Sequence, residues 1–166
     1  MIVLVRHADA GDKHRWAARD ELRPLSPKGL RHAEESIVPL LAGLGVTRLL
    51  SSPALRCLQT LLPTGARLGL VVEPCDELAV RAPVDLLLQL LEEPSTDQAA
   101  LCTHGETLTA LSKAWNRTGR TVLDTDGAAA ALAGTPKGGA WIIDGYHGAT
   151  ATARYVPPHR QVSSEH

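Results

Sequence analysis

The chain has 166 residues, a formal net charge of −1 and 44% hydrophobic residues, which predicts a single globular domain with its own core. The near-neutral charge gives no indication of a nucleic acid or a membrane as partner. No apolar stretch reaches the roughly 18 residues that span a bilayer, and no basic segment precedes the first apolar run, so we expect a cytoplasmic protein. The three cysteines are too few and too scattered for a disulfide framework or a metal site.

Apolar runs alternate with segments of helical spacing along the chain, which predicts an α/β fold with a mainly parallel sheet. Strands are predicted at 2–5, 47–51, 70–72, 99–103 and 140–144, and helices at 27–43, 53–67, 83–92 and 105–117. Ser26 and Ser52, each followed by a proline, predict helix N-caps. An irregular loop is expected at 10–25, a short strand and a turn within 124–139, and a flexible tail at 157–166 after a domain of residues 1–156.

Arg6 and His7 directly follow the first apolar run. Ligand sites in open α/β sheets lie beyond the carboxyl ends of such strands, so a permanent cation and a titratable imidazole are placed where they can meet a substrate. An end of a strand need not be functional, and this dipeptide alone decides little. Its position nevertheless predicts chemistry on an anion, and a phosphate fits best.

Two further strand ends carry the same kinds of residue. Arg56 falls in the first turn of the helix that follows the second strand, where free N–H groups and the helix dipole favour an anion. Its planar guanidinium can bind phosphate with two hydrogen bonds. His104 ends the strand at 99–103 and is followed by Gly105. Each residue alone is more often structural, but together they predict a cationic site.

Four sequence blocks give the chain a resemblance to the histidine phosphatase superfamily, which is also called phosphoglycerate mutase-like, and to its small SixA-like branch. The blocks are Val5-Arg6-His7-Ala8, Leu25-Ser26-Pro27-Lys28-Gly29 with Ala33-Glu34, Ser52-Pro53-Ala54-Leu55-Arg56 with Gln59-Thr60, and Thr103-His104-Gly105. The resemblance implies a three-layer α/β/α sandwich. It also implies catalysis without a metal or cofactor, through a phosphohistidine intermediate.

The resemblance implies that His7 is the nucleophile and that Arg6, Arg56 and a cationic His104 hold the phosphoryl oxygens, beside Gly105. Neighbouring positive charges lower the pKa of His7 and keep it neutral for attack. The proton donor is expected to be Glu77, with Asp76 and Glu106 as alternatives. Lys13, in the loop after His7, is a candidate for substrate binding. Ala8 stands where the family more often has glycine, which is acceptable if this position does not need a positive φ.

The expected function is therefore a phosphoric ester or phosphoramidate hydrolase that acts on a small phosphomonoester or on phosphohistidine, free or in a protein. One alternative is a phosphate-binding regulatory module that partners a Nudix-type protein. A phosphoglycerate mutase is another, although the chain lacks the insertions and the long tail with which mutases close over their substrate. The sequence predicts neither the physiological substrate nor the oligomeric state.

Overall fold

The computed structural model describes residues 1–119, 122–124, 134–148 and 150–158. Seven strands form one sheet in this part of the chain: β1 (Ile2–Arg6), β2 (Arg48–Ser51), β3 (Val72–Pro74), β4 (Ala99–Thr103), β5 (Val122–Asp124), β6 (Ala140–Asp144) and β7 (Ala151–Val156). Their order across the sheet is β3-β2-β4-β1-β6-β7-β5. Only β6 runs antiparallel to its neighbours, β1 and β7. The predicted α/β class and mainly parallel sheet are confirmed.

Five α-helices connect these strands within the described residues: α1 (Pro27–His32), α2 (Val38–Leu44), α3 (Leu55–Leu68), α4 (Val84–Glu92) and α5 (Gly105–Thr118). A π-helical turn at Ala33–Ile37 joins α1 to α2, so the segment predicted as one helix at 27–43 is helical throughout. The Ser26 hydroxyl accepts a hydrogen bond from the Gly29 N–H, as the predicted N-cap requires. Gly45 ends α2 with a φ of 67°, a conformation that glycine adopts without strain.

The sheet separates two hydrophobic clusters, because successive side chains of a strand point to opposite faces. Ile2 and Leu4 pack on one face with residues of α4 and α5, and Val3 and Val5 pack on the other with residues of α2 and α3. All four of these side chains are completely buried. This arrangement is the three-layer α/β/α sandwich that the resemblance implied.

Several predicted boundaries differ from the structure. The third strand lies at Val72–Pro74 instead of 70–72, and β7 was not predicted. Helix α3 begins at Leu55 without a side-chain cap, so the N-cap predicted at Ser52 is wrong. The Ser52 hydroxyl instead forms a hydrogen bond with Nε2 of His104, at 2.8 Å.

Two predictions fall wholly or largely outside the described residues. The first is the short strand and turn predicted within 124–139, of which residues 125–133 lie outside. The second is the predicted tail, of which residues 159–166 lie outside. No helix in the described ranges is long and apolar enough to cross a membrane.

The fold brings the ends of three neighbouring parallel strands to one edge of the sheet. In the register of the sheet Arg6 of β1 lies opposite Thr103 of β4, and Ser51 of β2 lies opposite Cys102. His7, Ser52 and His104 each follow the end of one of these strands. The predicted site residues therefore start from adjacent positions of the backbone.

Candidate active site

His7 and His104 lie side by side, because they follow the ends of the adjacent strands β1 and β4. Their ring centroids are 5.5 Å apart and the rings meet edge to face. The backbone N–H of His7 donates to the backbone carbonyl of Thr103, and this hydrogen bond holds the two strand ends together. Both rings are buried, with exposed fractions of 5% for His7 and 1% for His104.

The hydrogen bonding of His7 determines which ring nitrogen is free to react. Nδ1 lies 2.8 Å from the carbonyl oxygen of Ala8, and a carbonyl oxygen can only accept. Nδ1 therefore carries the proton of the neutral ring and Nε2 keeps its lone pair. Burial lowers the pKa of His7 to about 3. The hydrogen bond to Ala8 acts against this shift, and the positive charges of Arg56 and Arg6 act with it. The neutral His7 that the sequence predicted is thus favoured chiefly by burial and less by the arginines.

Arg56 reaches the histidine pair from the first turn of α3. Its guanidinium donates from Nη1 to the carbonyl of Asp20 at 2.8 Å and from Nη2 to the carboxylate of Asp20 at 2.9 Å. Nη2 also lies 3.3 Å from Nδ1 of His104. The residue is 4% exposed, so these contacts are made in a largely dry environment.

His104 holds its proton on the nitrogen that faces away from Arg56. A guanidinium can only donate, so Nδ1 of His104 is the acceptor in the contact with Arg56. Nε2 then carries the proton and donates it to the Ser52 hydroxyl at 2.8 Å. The expectation that His104 is cationic stays a prediction.

Arg6 lies across the end of β1 and is anchored by one hydrogen bond, from Nη1 to the carbonyl of Thr135 at 2.7 Å. A Cβ atom on Gly105 would lie 2.9 Å from Cζ of Arg6, so the absence of a side chain at Gly105 lets Arg6 pack against the start of α5. Ala8 is buried and is not among the described residues with a positive φ, so alanine fits where the family more often has glycine.

A cavity of about 670 Å³ opens at this edge of the sheet. His7 lines it together with six cations and three carboxylates; the cations are Arg6, Lys13, Arg23, Arg56, Arg81 and Lys137, and the carboxylates are Asp12, Asp20 and Glu106. The surplus of positive charge suits an anionic ligand. His104 is not part of the lining and lies behind Arg56.

Two buried donors in this site have no hydrogen-bond partner among the described residues. They are Nε of Arg6 and Nε of Arg56. A buried donor without a partner is costly, so unpaired groups of this kind call for an explanation. A bound oxyanion would supply acceptors to both guanidinium groups, and the site is therefore suited to a phosphoryl group.

The carboxylates predicted as proton donors do not all reach the cavity. The Cys75 thiol donates to the carboxylate of Glu77 at 2.9 Å, which lowers the pKa of Glu77, and neither Glu77 nor Asp76 lines the cavity. The next residue, Leu78, takes the buried position, and its carbonyl accepts from the Thr103 hydroxyl. Among the three candidates only Glu106, at the start of α5, lines the cavity.

The sequence analysis did not predict Ser52 in this role, Asp20 or Arg23, nor the lining residues Asp12, Arg81 and Lys137. Arg23 is 6% exposed, donates to the carbonyl of Ala10 at 2.7 Å and donates from Nε to the carboxylate of Asp20 at 3.2 Å. Asp20 and Arg23 fall in the segment that was predicted as an irregular loop. Their spacing of three residues was an indication of this ion pair, because one short turn brings side chains three residues apart together.

Within the ranges that the structure describes, no group of three or more His, Cys, Asp or Glu side chains is arranged to hold a metal ion.

Comparison with known proteins agrees with this geometry. Residues 2–81 match the family model of the histidine phosphatase superfamily, branch 1. The protein assigned as a phosphohistidine phosphatase SixA in Agrobacterium tumefaciens is 28% identical, with 94% of this chain and 96% of that chain covered and a TM-score of 0.67. The protein histidine phosphatase SixA complexed with tungstate shares the fold, at 22% identity and a TM-score of 0.69 over 94% of this chain and 96% of that one.

A longer relative is an 8-oxo-(d)GTP phosphatase of Mycolicibacterium smegmatis. It is 27% identical over 164 residues, which are 95% of this chain but 48% of that protein. The chain thus spans about half the length of this curated relative.

Proposed function

We propose that the chain is a phosphoric ester hydrolase of the histidine phosphatase superfamily. It hydrolyses a small phosphomonoester or phosphohistidine without a metal, through a phosphohistidine intermediate on His7. The observation that carries the proposal is the state of His7. Its proton is fixed on Nδ1 by the carbonyl of Ala8, and burial favours the neutral ring. Among the described residues Nε2 has no hydrogen-bond partner, and neither do the Nε donors of the two nearby arginines. A neutral imidazole with one free nitrogen is the form that attacks phosphorus.

In the first step Nε2 of His7 attacks the phosphorus atom, so a P–N bond forms while the bond to the leaving group breaks. Phosphoryl transfer depends mainly on positioning and on stabilising the charge of the equatorial oxygens. Arg6 and Arg56 donate hydrogen bonds to these oxygens through Nε atoms that have no partner among the described residues. His104 does not line the cavity, so it acts on the phosphoryl group through its contact with Arg56.

We propose Glu106 as the proton donor in place of Glu77, because Glu106 lines the cavity and Glu77 does not. Glu106 gives its proton to the leaving oxygen as the first step proceeds. In the second step water attacks the phosphohistidine, the P–N bond breaks, and Glu106 takes a proton from the water. The histidine then regains its lone pair and inorganic phosphate leaves.

The outer part of the cavity is proposed to bind the remainder of the substrate. Lys13 and Arg81 line it, and neither side chain forms an ion pair with a described residue. A volume of about 670 Å³ is within the range of small-molecule sites, so groups well beyond a phosphoryl group fit. The substrate panel should therefore include phosphohistidine peptides, sugar phosphates and nucleotides, among them 8-oxo-dGTP because of the longer relative.

The test is hydrolysis of p-nitrophenyl phosphate and of this panel in the presence of EDTA, with wild type, His7→Ala and a control, His147→Gln. His147 bonds to the carbonyl of Leu91 and does not line the cavity. We expect turnover in EDTA, loss of at least about 1,000-fold in His7→Ala because the nucleophile is gone, and full activity in His147→Gln.

Acid-labile phosphate should be trapped on wild type and be absent from His7→Ala. A requirement for added divalent metal would contradict the mechanism. Phosphate binding without turnover of any panel member would favour the regulatory module, and transfer of the phosphoryl group to a second position of phosphoglycerate would favour the mutase.

A further inference from the structure

Asp20 makes more contacts with the arginines of the site than any other carboxylate that the structure describes. Its Oδ2 accepts from Nη2 of Arg56 at 2.9 Å, its carbonyl accepts from Nη1 of Arg56 at 2.8 Å, and its Oδ1 accepts from Nε of Arg23 at 3.2 Å. Asp20 begins a single 3-10 turn, Asp20–Leu22, and its side chain is half exposed to the cavity. One residue thus holds both terminal nitrogens of Arg56.

Arg56 needs such a partner for two physical reasons. Its guanidinium is almost completely buried next to a second buried arginine, Arg23, and buried like charges are costly without a counter-charge. A free arginine side chain also has many rotamers, whereas phosphoryl transfer requires one fixed position. Partial burial acts to raise the pKa of Asp20, but the hydrogen bond from Arg23 and the charges of both arginines outweigh it, so Asp20 stays ionised as the counter-charge.

The contacts of Asp20 extend to the histidine behind Arg56. Asp20 holds Nη1 and Nη2 of Arg56, and Nη2 also lies 3.3 Å from Nδ1 of His104. In the part of the chain that the structure describes, Nε of Arg56 has no partner. On its other side Asp20 is held by Arg23, which is itself anchored to the carbonyl of Ala10. A continuous series of hydrogen bonds therefore connects the loop at 10–25 with the end of β4.

We propose that Asp20, supported by Arg23, is a positioning residue for phosphoryl transfer: it orients Arg56 toward His104 and leaves Nε of Arg56 available to the phosphoryl group. This inference rests on the proposed function. Asp20 acts through Arg56, and it is neither the nucleophile nor the proton donor. Because its charge is negative, it also weakens the attraction of the cavity for the phosphate that is released.

The test compares Asp20→Asn with Glu21→Gln, a matched control that removes one carboxylate charge from the next residue of the same turn. Glu21 pairs with the exposed Arg19 and does not line the cavity. An asparagine has one acceptor oxygen, and its amide group would face a guanidinium that can only donate. We expect kcat of Asp20→Asn to fall about 10- to 100-fold, the size expected from a misplaced catalytic group, and kcat of Glu21→Gln to stay within about twofold of wild type.

The second readout is inhibition by inorganic phosphate. Removal of one negative charge from the cavity should lower the inhibition constant of phosphate in Asp20→Asn, so that kcat falls while the affinity for phosphate rises. A structural defect alone would lower both. Asp20→Glu keeps the charge and should recover part of kcat.

A third readout does not depend on activity. Nitrogen-15 NMR of the histidine rings should show an unprotonated Nδ1 of His104 in wild type and a changed Nδ1 signal in Asp20→Asn, with the melting temperature measured to confirm that the variant is folded. Wild-type kcat in folded Asp20→Asn, or a raised KM at unchanged kcat, would overturn the inference while leaving the proposed function in place. Absence of turnover by wild type would instead count against the proposed function, and an unchanged His104 signal in folded Asp20→Asn would still overturn the positioning role.

Discussion

The protonation of His7 connects the reactivity of the site to the stability of the fold. An ordinary histidine has a pKa near 6.5, and burial lowers that of His7 to about 3. Between these values the unfolded chain binds a proton at this residue and the folded chain does not. The free energy of unfolding must therefore decrease as the pH falls from about 6.5 to about 3.

We predict that His7→Gln removes this pH dependence. Wild type should lose about 1.4 kcal/mol of unfolding free energy per pH unit more than His7→Gln between pH 6 and pH 4, because one proton is taken up on unfolding. Urea unfolding at pH 6.5, 5.5 and 4.5 measures the difference, with the conditions otherwise fixed. Parallel curves for the two proteins would show that the ring is not held neutral in the folded state.

At the residue scale the sequence predicted which side chains meet and missed how they are held. Arg6, His7, Arg56 and His104 could be found because each directly follows a predicted strand or begins the next helix. Asp20 and Arg23 could not be found in this way, because a loop has no periodicity and its contacts depend on tertiary structure. The surroundings of Glu77 could not be predicted for the same reason. Its carboxylate bonds to the Cys75 thiol and does not line the cavity, whereas the next residue, Leu78, is buried in the core.

At the element scale, the packing of α3 on the sheet determines where Arg56 lies. A Cβ atom on Gly65, in the third turn of α3, would lie 2.7 Å from the carbonyl oxygen of Leu70 and 3.3 Å from a methyl group of Val72. The helix can therefore approach β2 and β3 closely only because residue 65 has no side chain. Backbone atoms cannot give way cheaply, so any larger residue must move the helix.

We predict that Gly65→Ala lowers the free energy of unfolding by about 1 to 3 kcal/mol, the usual cost of overpacking. Gly43→Ala is the matched control, because a Cβ atom on Gly43 in α2 meets nothing within 4 Å. Gly43→Ala should be neutral or stabilising by up to about 1 kcal/mol, since alanine is the better helix former. Chemical denaturation of both variants measures the difference, and an equal effect in the two would contradict the close packing of α3.

The strands differ in how well their sequences identify them. The buried parallel strands β1 and β4 have largely continuous apolar runs, and β2 has two adjacent leucines; all three were predicted nearly to their ends. β7 was missed because its buried positions include small alanines, and its alternation of Ala, Thr and Arg gives only a weak pattern. The N-cap expected at Ser52 failed for a different reason, because α3 begins only at Leu55 and Ala54 takes the N-cap position.

At the scale of the whole molecule, stability depends on the central position of β1. This strand lies between β4 and β6, and its side chains fill both hydrophobic clusters. We predict that Leu4→Ala, at a completely buried position, costs about 2 to 5 kcal/mol of unfolding free energy.

The control for this prediction is Leu62→Ala on α3, where the side chain is 51% exposed. Substitutions at exposed positions of this kind change the free energy of unfolding by no more than about 0.5 kcal/mol. Urea titration of both variants measures the two costs, and comparable values would show that β1 is not at the centre of the core.

The sequence by itself determined the α/β class, the order of most elements and the four residues at the strand ends, because apolar periodicity and strand termini are local properties of the chain. Only the tertiary structure decided the hydrogen-bond partners of His7 and His104, the contacts of Asp20 and Arg23, and which of the candidate carboxylates lines the cavity. These depend on distances between residues that lie far apart in the chain, such as Asp20, Arg56 and His104. Burial and hydrogen-bond geometry exist only once the strands have paired and the loop has closed over their ends.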